Sequence, residues 1–311
     1  MSLGNSSIAV HGSTPYPWYH TNHADVQNAM TSAEALSLAG LDYDVLQEPV
    51  FDAAGHKIPG YRVNYKGDDR RHLGIVSERY SVVQNTEAFA FVDGLIGPDC
   101  RFESAGHLNN FRTTWMLAQL QPRNIMGDDY GNYLLFQNSH DGGGAIKVCI
   151  TPIRIVCRNM LNIAISRASR RFSIRHVGNV NGKLEEANRV LHLSEEYLTA
   201  VDTEYQRLAM QKLDDIMFQK FLKDLFPISK DDTPRKVQTQ LDLRNAVADK
   251  YEVDDLSNFH GTAFGALNAV SDFVAHTEPL RMTDAYFGNL FQKVMEGHPT
   301  LDRAYELVLA A

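Results

Sequence analysis

The stretch QNSHDGGGAIKVCITPIRIVCRNMLNIAISRASRRFSIRH, residues 137–176, is the one around which the rest of the chain is organised. An apolar run from Tyr133 to Phe136 leads into the turn Asn138–Gly144, and Ala145 to Ile150 then alternates Ile146, Val148 and Ile150 with Lys147 and Cys149. Three successive glycines accept φ > 0, and His140, Asp141 and Gly142 supply turn chemistry, so the reading is a β-hairpin. Thr151 and Pro152 follow as a helix N-cap and a first helical position, which predicts a helix from about Pro152 to about Arg171.

Working outward, charge sets this region apart. Between Thr151 and Leu184 lie Arg154, Arg158, Arg167, Arg170, Arg171, Arg175 and Lys183, with no acid among them. The whole chain carries −8, so the remainder sums to −15, and a basic window in an acidic protein points to a local anion-binding surface. With 311 residues, 44% apolar and 22% charged, there is ample chain for a core in one large domain or two smaller ones. No run reaches the ~18 apolar residues of a membrane span, and no basic-then-apolar leader opens the chain. Three cysteines (Cys100, Cys149, Cys157), an odd number without a C-x-x-C pair, read as buried thiols in a reducing compartment. The expectation is a cytoplasmic protein with no membrane contact.

Residues 1–24 read as an extended arm, because positions 4–24 contain no Lys, Arg, Asp or Glu. His20 and His23 lie three apart but lack further ligands, and read as exposed. Thr31 or Ser32 caps a short helix ending at Gly40. Strands are expected over 41–50, 60–65 and 72–76, with a further short run at 79–83. Asn85 is read as the cap of a helix from about Thr86 to Ile96, stopped by Gly97 and Pro98. Strand patterns at 102–105, 113–120 and 130–137, joined to 145–150, make an antiparallel meander. Beyond Gly182 the apolar spacing becomes helical through 184–226, then at 234–249, 261–276, 285–295 and 299–309. From Glu185 to Ala311 the net charge is −9. The fold class is therefore α+β: an antiparallel sheet flanked by helices over residues 25–180, and an all-helical part over 181–311 packed on it.

Several segments together resemble a family of phage- and plasmid-encoded proteins that share domain of unknown function 932. They are Ala39–Tyr43, Leu73–Tyr80 with Gln84 and Asn85, Ser104–His107, Asn138–Gly142, Thr151–Asn159, Arg175 with His176, and Gly261–Ala269. The chain departs from that pattern at Phe264, where tryptophan is usual, and at Ala275, where an acid usually precedes the histidine at 276. The resemblance implies a mobile-element setting in a bacterial host and carries with it no catalytic residue, ligand or cofactor.

The candidate site residues follow from these readings. The family-motif set is Asn138, Ser139, His140, Asp141, Gly142, Arg154, Arg158 and Asn159. Arg154 and Arg158 fall in the apolar first part of the expected helix, where pairing with acids of the fold competes with ligand contact. Arg167, Arg170, Arg171, Arg175 and Lys183 form an anion-binding segment, which competes with a solvated helix end that suits the dipole. His140, Asp141 and His176 are the one candidate acid–base cluster, lacking a recognisable nucleophile context or metal partner. Adjacent residues in a glycine turn also serve simply as turn formers. No metal site, cofactor motif or nucleotide-binding loop is present, and the small residues of 261–269 read as a packing face. The functional expectation is a non-enzymatic protein that engages single-stranded nucleic acid in a replication or recombination accessory role. The alternative is a protein-interaction module, such as a host-defence antagonist or an assembly factor, whose acidic helical half meets a phage or host protein.

Overall fold

The computed structural model describes residues 22–94, 100–120, 122–125, 128–154, 171–177, 194–277, 283 and 286–310. Alternating sequence builds the main antiparallel sheet from β1 (Asn22–Asp25), β5 (Cys100–Leu108), β6 (Thr113–Leu120), β7 (Arg123–Ile125), β8 (Asp128–Ser139), β9 (Ile146–Arg154) and β10 (Arg171–Ile174). Its order is β1-β5-β6-β8-β9-β10, with β7 beside β8. A second sheet is the meander β2 (Val45–Phe51), β3 (Lys57–Lys66) and β4 (His72–Ser77). The β5–β6 turn places Asn109, Asn110 and Phe111 at φ of 50°, 58° and 69°. Asparagine tolerates that region, whereas Phe111 is held there by stacking on His107 at 3.7 Å and by an edge contact with Tyr43.

Two expectations fail on these strands. Instead of a helix starting at Pro152, β9 continues to Arg154, with Thr151, Pro152, Ile153 and Arg154 opposite Tyr133, Asn132, Gly131 and Tyr130. The β-branched run Ile146, Val148, Ile150, Thr151, Ile153 suits a strand better than the capping signal suits a helix. Pro152 is tolerated because β10 pairs only with residues 146–149, so the other edge of β9 has no partner strand there among the described residues. Arg171, expected in the helix, belongs to β10; residues 155–170 lie outside those described. The second failure is Asn85. It begins α2 (Asn85–Ala90) with its side chain turned into the core, while Glu87 accepts from the backbone N–H of Gln84. The run at 79–83 makes only an isolated bridge, Tyr80 with Val177.

Helix α1 (Ser32–Leu38) is capped by Thr31, which accepts from the Glu34 N–H. The C-terminal part comprises α3 (Ser194–Met210), α4 (Asp215–Leu225), α5 (Pro234–Tyr251), α6 (Ala263–His276), α7 (Tyr286–Glu296) and α8 (Pro299–Leu309). Asp214, Thr233 and Thr262 cap α4, α5 and α6, so the helical spacing through 184–226 is interrupted before Asp214. Helix α6 is central and buried from Ala263 through Asp272. Its small residues do permit close approach: a Cβ on Gly265 would lie 2.3 Å from the Phe259 carbonyl oxygen. Phe264, at the tryptophan position of the family pattern, is buried 5.3 Å from the Tyr205 ring, with Tyr130 of β8 beside both.

One apolar core thus joins one sheet face to α3 and α6. The opposite face carries Trp115, Leu117, Tyr133, Leu135 and Cys149, a buried thiol, beneath Phe291 and Met295 of α7. His23, expected exposed, is half-buried 6.3 Å from Trp115 because β1 pairs with β5. Among the described residues no helix is long and apolar enough to cross a membrane.

Candidate functional site: a buried histidine network and a cationic sheet edge

The β8–β9 turn is wedged between the two sheets. Asn138 and His140 fall on the core side of β8, as does Phe136, while Ser139 faces the other way. The Asn138 Nδ2 group donates to the Val83 carbonyl and to Asn85 Oδ1, both at 3.1 Å. Asn85 Nδ2 donates to the Leu41 carbonyl at 2.9 Å, which leaves Asn85 Oδ1 to accept from His140 Nε2–H, also at 2.9 Å. That fixes the tautomer: His140 Nδ1 is a bare lone pair, buried and without a partner. The backbone is held as firmly, since His140 N–H donates to the Arg112 carbonyl and Asn64 Nδ2 to the His140 carbonyl, both at 2.8 Å.

His176 arrives from the end of β10. It stacks on Tyr80, with ring centroids 4.7 Å apart, and its Nδ1–H donates to the Ser81 carbonyl at 3.2 Å, leaving Nε2 bare. Tyr80 in turn donates to the Ser139 carbonyl at 2.7 Å, which ties His176 to the turn. Asp141 Oδ1 accepts from Ser139 Oγ at 2.9 Å and from the N–H groups of Gly143 and Gly144. Gly74 makes the wedge possible, because a Cβ there would lie 2.5 Å from the Asp141 Cα.

Burial decides the electrostatics. His140 is fully buried and its pKa is pushed down to about 3, chiefly by desolvation and then by His176. Burial lowers His176 too, against the opposing pull of the Ser81 carbonyl and Asp141. Tyr80 is raised by burial and by Asp141. Both imidazoles are therefore neutral and walled off from solvent. The groove that reaches Asp141 is lined by His72, Gly74, Ile75 and Arg112, and by neither His140 nor His176. His140, Asp141 and His176 share one neighbourhood, but the groove at Asp141 takes in neither imidazole, and Ser139 Oγ is turned to a carboxylate rather than an imidazole. Among the described residues no group of His, Cys, Asp and Glu is arranged to hold a metal ion.

The second feature is β10, which ends the main sheet among the described residues. Arg171 and Ser173 lie on the same sheet face as Cys149 and Lys147, their partners across β9. Lys147 forms an ion pair with Glu296 at the end of α7, and Arg171 Nη1 donates to the Glu296 carbonyl, where a helix C-terminus favours a cation. Arg175 follows β10 and is exposed, as is Arg171. A depression here is lined by Lys147, Arg171, Ser173, Met295 and Glu296. Arg154 pairs in register with Tyr130, while Arg158, Asn159, Arg167, Arg170 and Lys183 lie outside the described residues. Sequence reasoning missed Asn64, Lys147 and Glu296; no local pattern marks them, since each acts through a contact made by the fold. The acid that serves His276 is Asp272, one helical turn back, at 3.1 Å, so Ala275 leaves that histidine with a carboxylate partner.

Tyr43, Gly74, Tyr80, Asn85, Asn138–Gly142 and His176, scattered over four of the segments that carry the resemblance, meet around this one turn. The Tyr43 hydroxyl reaches Thr114 at 3.1 Å, and its ring meets His140 edge-on. No curated protein and no solved structure matches the chain. A family model does, over residues 72–293, and the chain accordingly belongs to the family defined by the domain of unknown function DUF932.

Proposed function

We propose that this protein binds a polyanion, single-stranded nucleic acid in the first instance, along the β10 edge, as a non-enzymatic replication or recombination accessory of a mobile element. The observation that carries the reading is the cationic edge itself: Arg171 and Arg175 are exposed beside Lys147, and among the described residues Glu296 is the one carboxylate lining the depression. Cations spaced along an extended edge strand match the repeat of a phosphate backbone better than they match a compact ligand. The neutral, enclosed histidines supply rigidity to the sheet that presents this edge.

Fluorescence anisotropy of a labelled oligonucleotide against salt tests the reading. Affinity should fall as a power of salt concentration, by about 0.7 in the logarithm per neutralised phosphate. The double substitution Arg171→Glu and Arg175→Glu should weaken binding at low salt by at least about tenfold while leaving the thermal transition in place. Absence of binding to the wild-type protein at low salt ends the proposal. A second reading, a protein-interaction module working through the acidic helical half, is favoured by one contact: Glu296 already engages both Lys147 and Arg171. It predicts that Glu296→Gln, by releasing Lys147 while the backbone contact to Arg171 stays, raises oligonucleotide affinity where the wild type shows little.

A further inference from the structure

The three-stranded sheet treats its two edges differently. Along β2 the Gln84 side chain stands in for a neighbouring strand: its Oε1 accepts from the Val45 N–H at 2.8 Å and its Nε2 donates to the Val45 carbonyl at 3.0 Å. Farther along, Pro49 has no N–H to offer, and a bulge between Pro49 and Phe51 breaks the edge. β4 has no hydrogen-bonded guard, although Gly142 of the β8–β9 turn lies beside the Ile75 carbonyl. It ends the sheet, and among the described residues no backbone or side-chain group hydrogen-bonds its outer edge from Leu73 to Val76. A groove that takes in Phe51 of β2, Val63 of β3 and His72 and Ile75 of β4 reaches Arg112 and Asp141. The outward sheet face adds apolar surface: Val63 and Ile75 share a row, Ile75 is 62% exposed and Tyr61 is 52% exposed.

A row of free N–H and C=O groups is satisfied along its whole length by another extended backbone. We propose that the strand that pairs there is β4 of a second copy of this chain, antiparallel about a two-fold axis, making one six-stranded sheet across the dimer. Strands paired in this way place residues of the same sheet face opposite each other, which requires registers centred on a residue rather than between two. Centring on Ile75 sets Ile75 against its own copy and continues the apolar row from Val63 to Val63. It also sets His72 opposite Glu78 on both sides of the axis, an imidazole within reach of a carboxylate that Lys57 of the same copy approaches at 3.6 Å. The proposal is independent of polyanion binding, because β4 and β10 belong to different sheets.

Light scattering on the full chain during size exclusion, at several loading concentrations, tests this. The wild type should run as a dimer that dissociates on dilution, and Ile75→Lys should run as a monomer with an unchanged circular dichroism spectrum. Ile75→Cys gives a reading that does not depend on how well the lysine variant folds. Opposed residues have Cα atoms about 4.5–5.5 Å apart, within disulfide reach, so mild oxidation should cross-link that variant as a dimer well beyond the wild type. A wild type that stays monomeric at every concentration overturns the self-pairing and leaves the edge to a foreign strand. A dimer that neither lysine at position 75 dissociates nor cysteine at position 75 captures overturns it as well.

Discussion

Asn85 shows how much one side chain can hold. Its amide links the Leu41 carbonyl, Asn138 Nδ2 and His140 Nε2–H, all buried and none with water to fall back on. Replacing it by alanine strands two donors and one acceptor, and each orphaned buried group costs about 1–3 kcal/mol. Asn85→Ala should therefore lose about 2–4 kcal/mol of stability, read as a lower urea midpoint with little change in slope. Asn85→Asp keeps the acceptor but removes the donor to Leu41 and buries a charge, so it should not rescue. A capping role would predict the reverse, because aspartate caps as well as asparagine.

Among the elements, the β8–β9 turn and β4 depend on each other. Gly74 sits where the Asp141 backbone comes closest, and Gly142, at φ 79°, lies where a Cβ would meet Val76. Gly74→Val suits a strand by propensity, yet its side chain has no room on that face, so the sheets must separate or the turn must shift. The expected result is a loss of about 1–3 kcal/mol, with faster amide exchange over residues 138–144 as the local signature. Ile75→Val, on the open face of the same strand, should leave both unchanged. The tolerance of β9 for Pro152 follows the same logic, since among the described residues no strand pairs with the far edge of β9 there and a missing N–H costs nothing on that side.

For the molecule as a whole, the buried histidines set a pH limit. His140 is held down to about 3, and His107 and His298 to about 4, each mainly by burial, with His176 lowered as well. All four would titrate near 6.5 once unfolded. Below that pH the unfolded chain takes up protons that the folded chain refuses, so stability is fully present above about 6.5 and is lost as pH falls toward 4. The slope contributed is up to about 1.4 kcal/mol per pH unit for each histidine. The urea midpoint should drop steadily from pH 7 to pH 5. The variant His140→Gln should be less stable at pH 7.5 but show a shallower drop. A flat profile across that range would mean that the imidazoles are not neutral in the folded state.

Much of the architecture was written locally. Alternation marked seven of the strands, three successive glycines marked the turn at 142–144, and Thr31 or Ser32, Pro234 and Pro299 marked helix starts, because period, caps and breakers act within a few residues. The same local rules misplaced residues 151–154 and Asn85, where a capping signal was outweighed by what lay opposite: a paired strand in one case, and Asn138 with His140 in the other. The residues that carry the family resemblance could be named from the chain, but not that they converge on one buried turn. Nor could it be read that Glu296, distant in sequence, meets Lys147 and Arg171. Hydrogen-bond satisfaction and burial are properties of the assembled core. Composition and spacing determined which elements exist, and only the packing of sheet on sheet and helix on sheet decided which polar groups were enclosed and which cations and strand edges were left facing water.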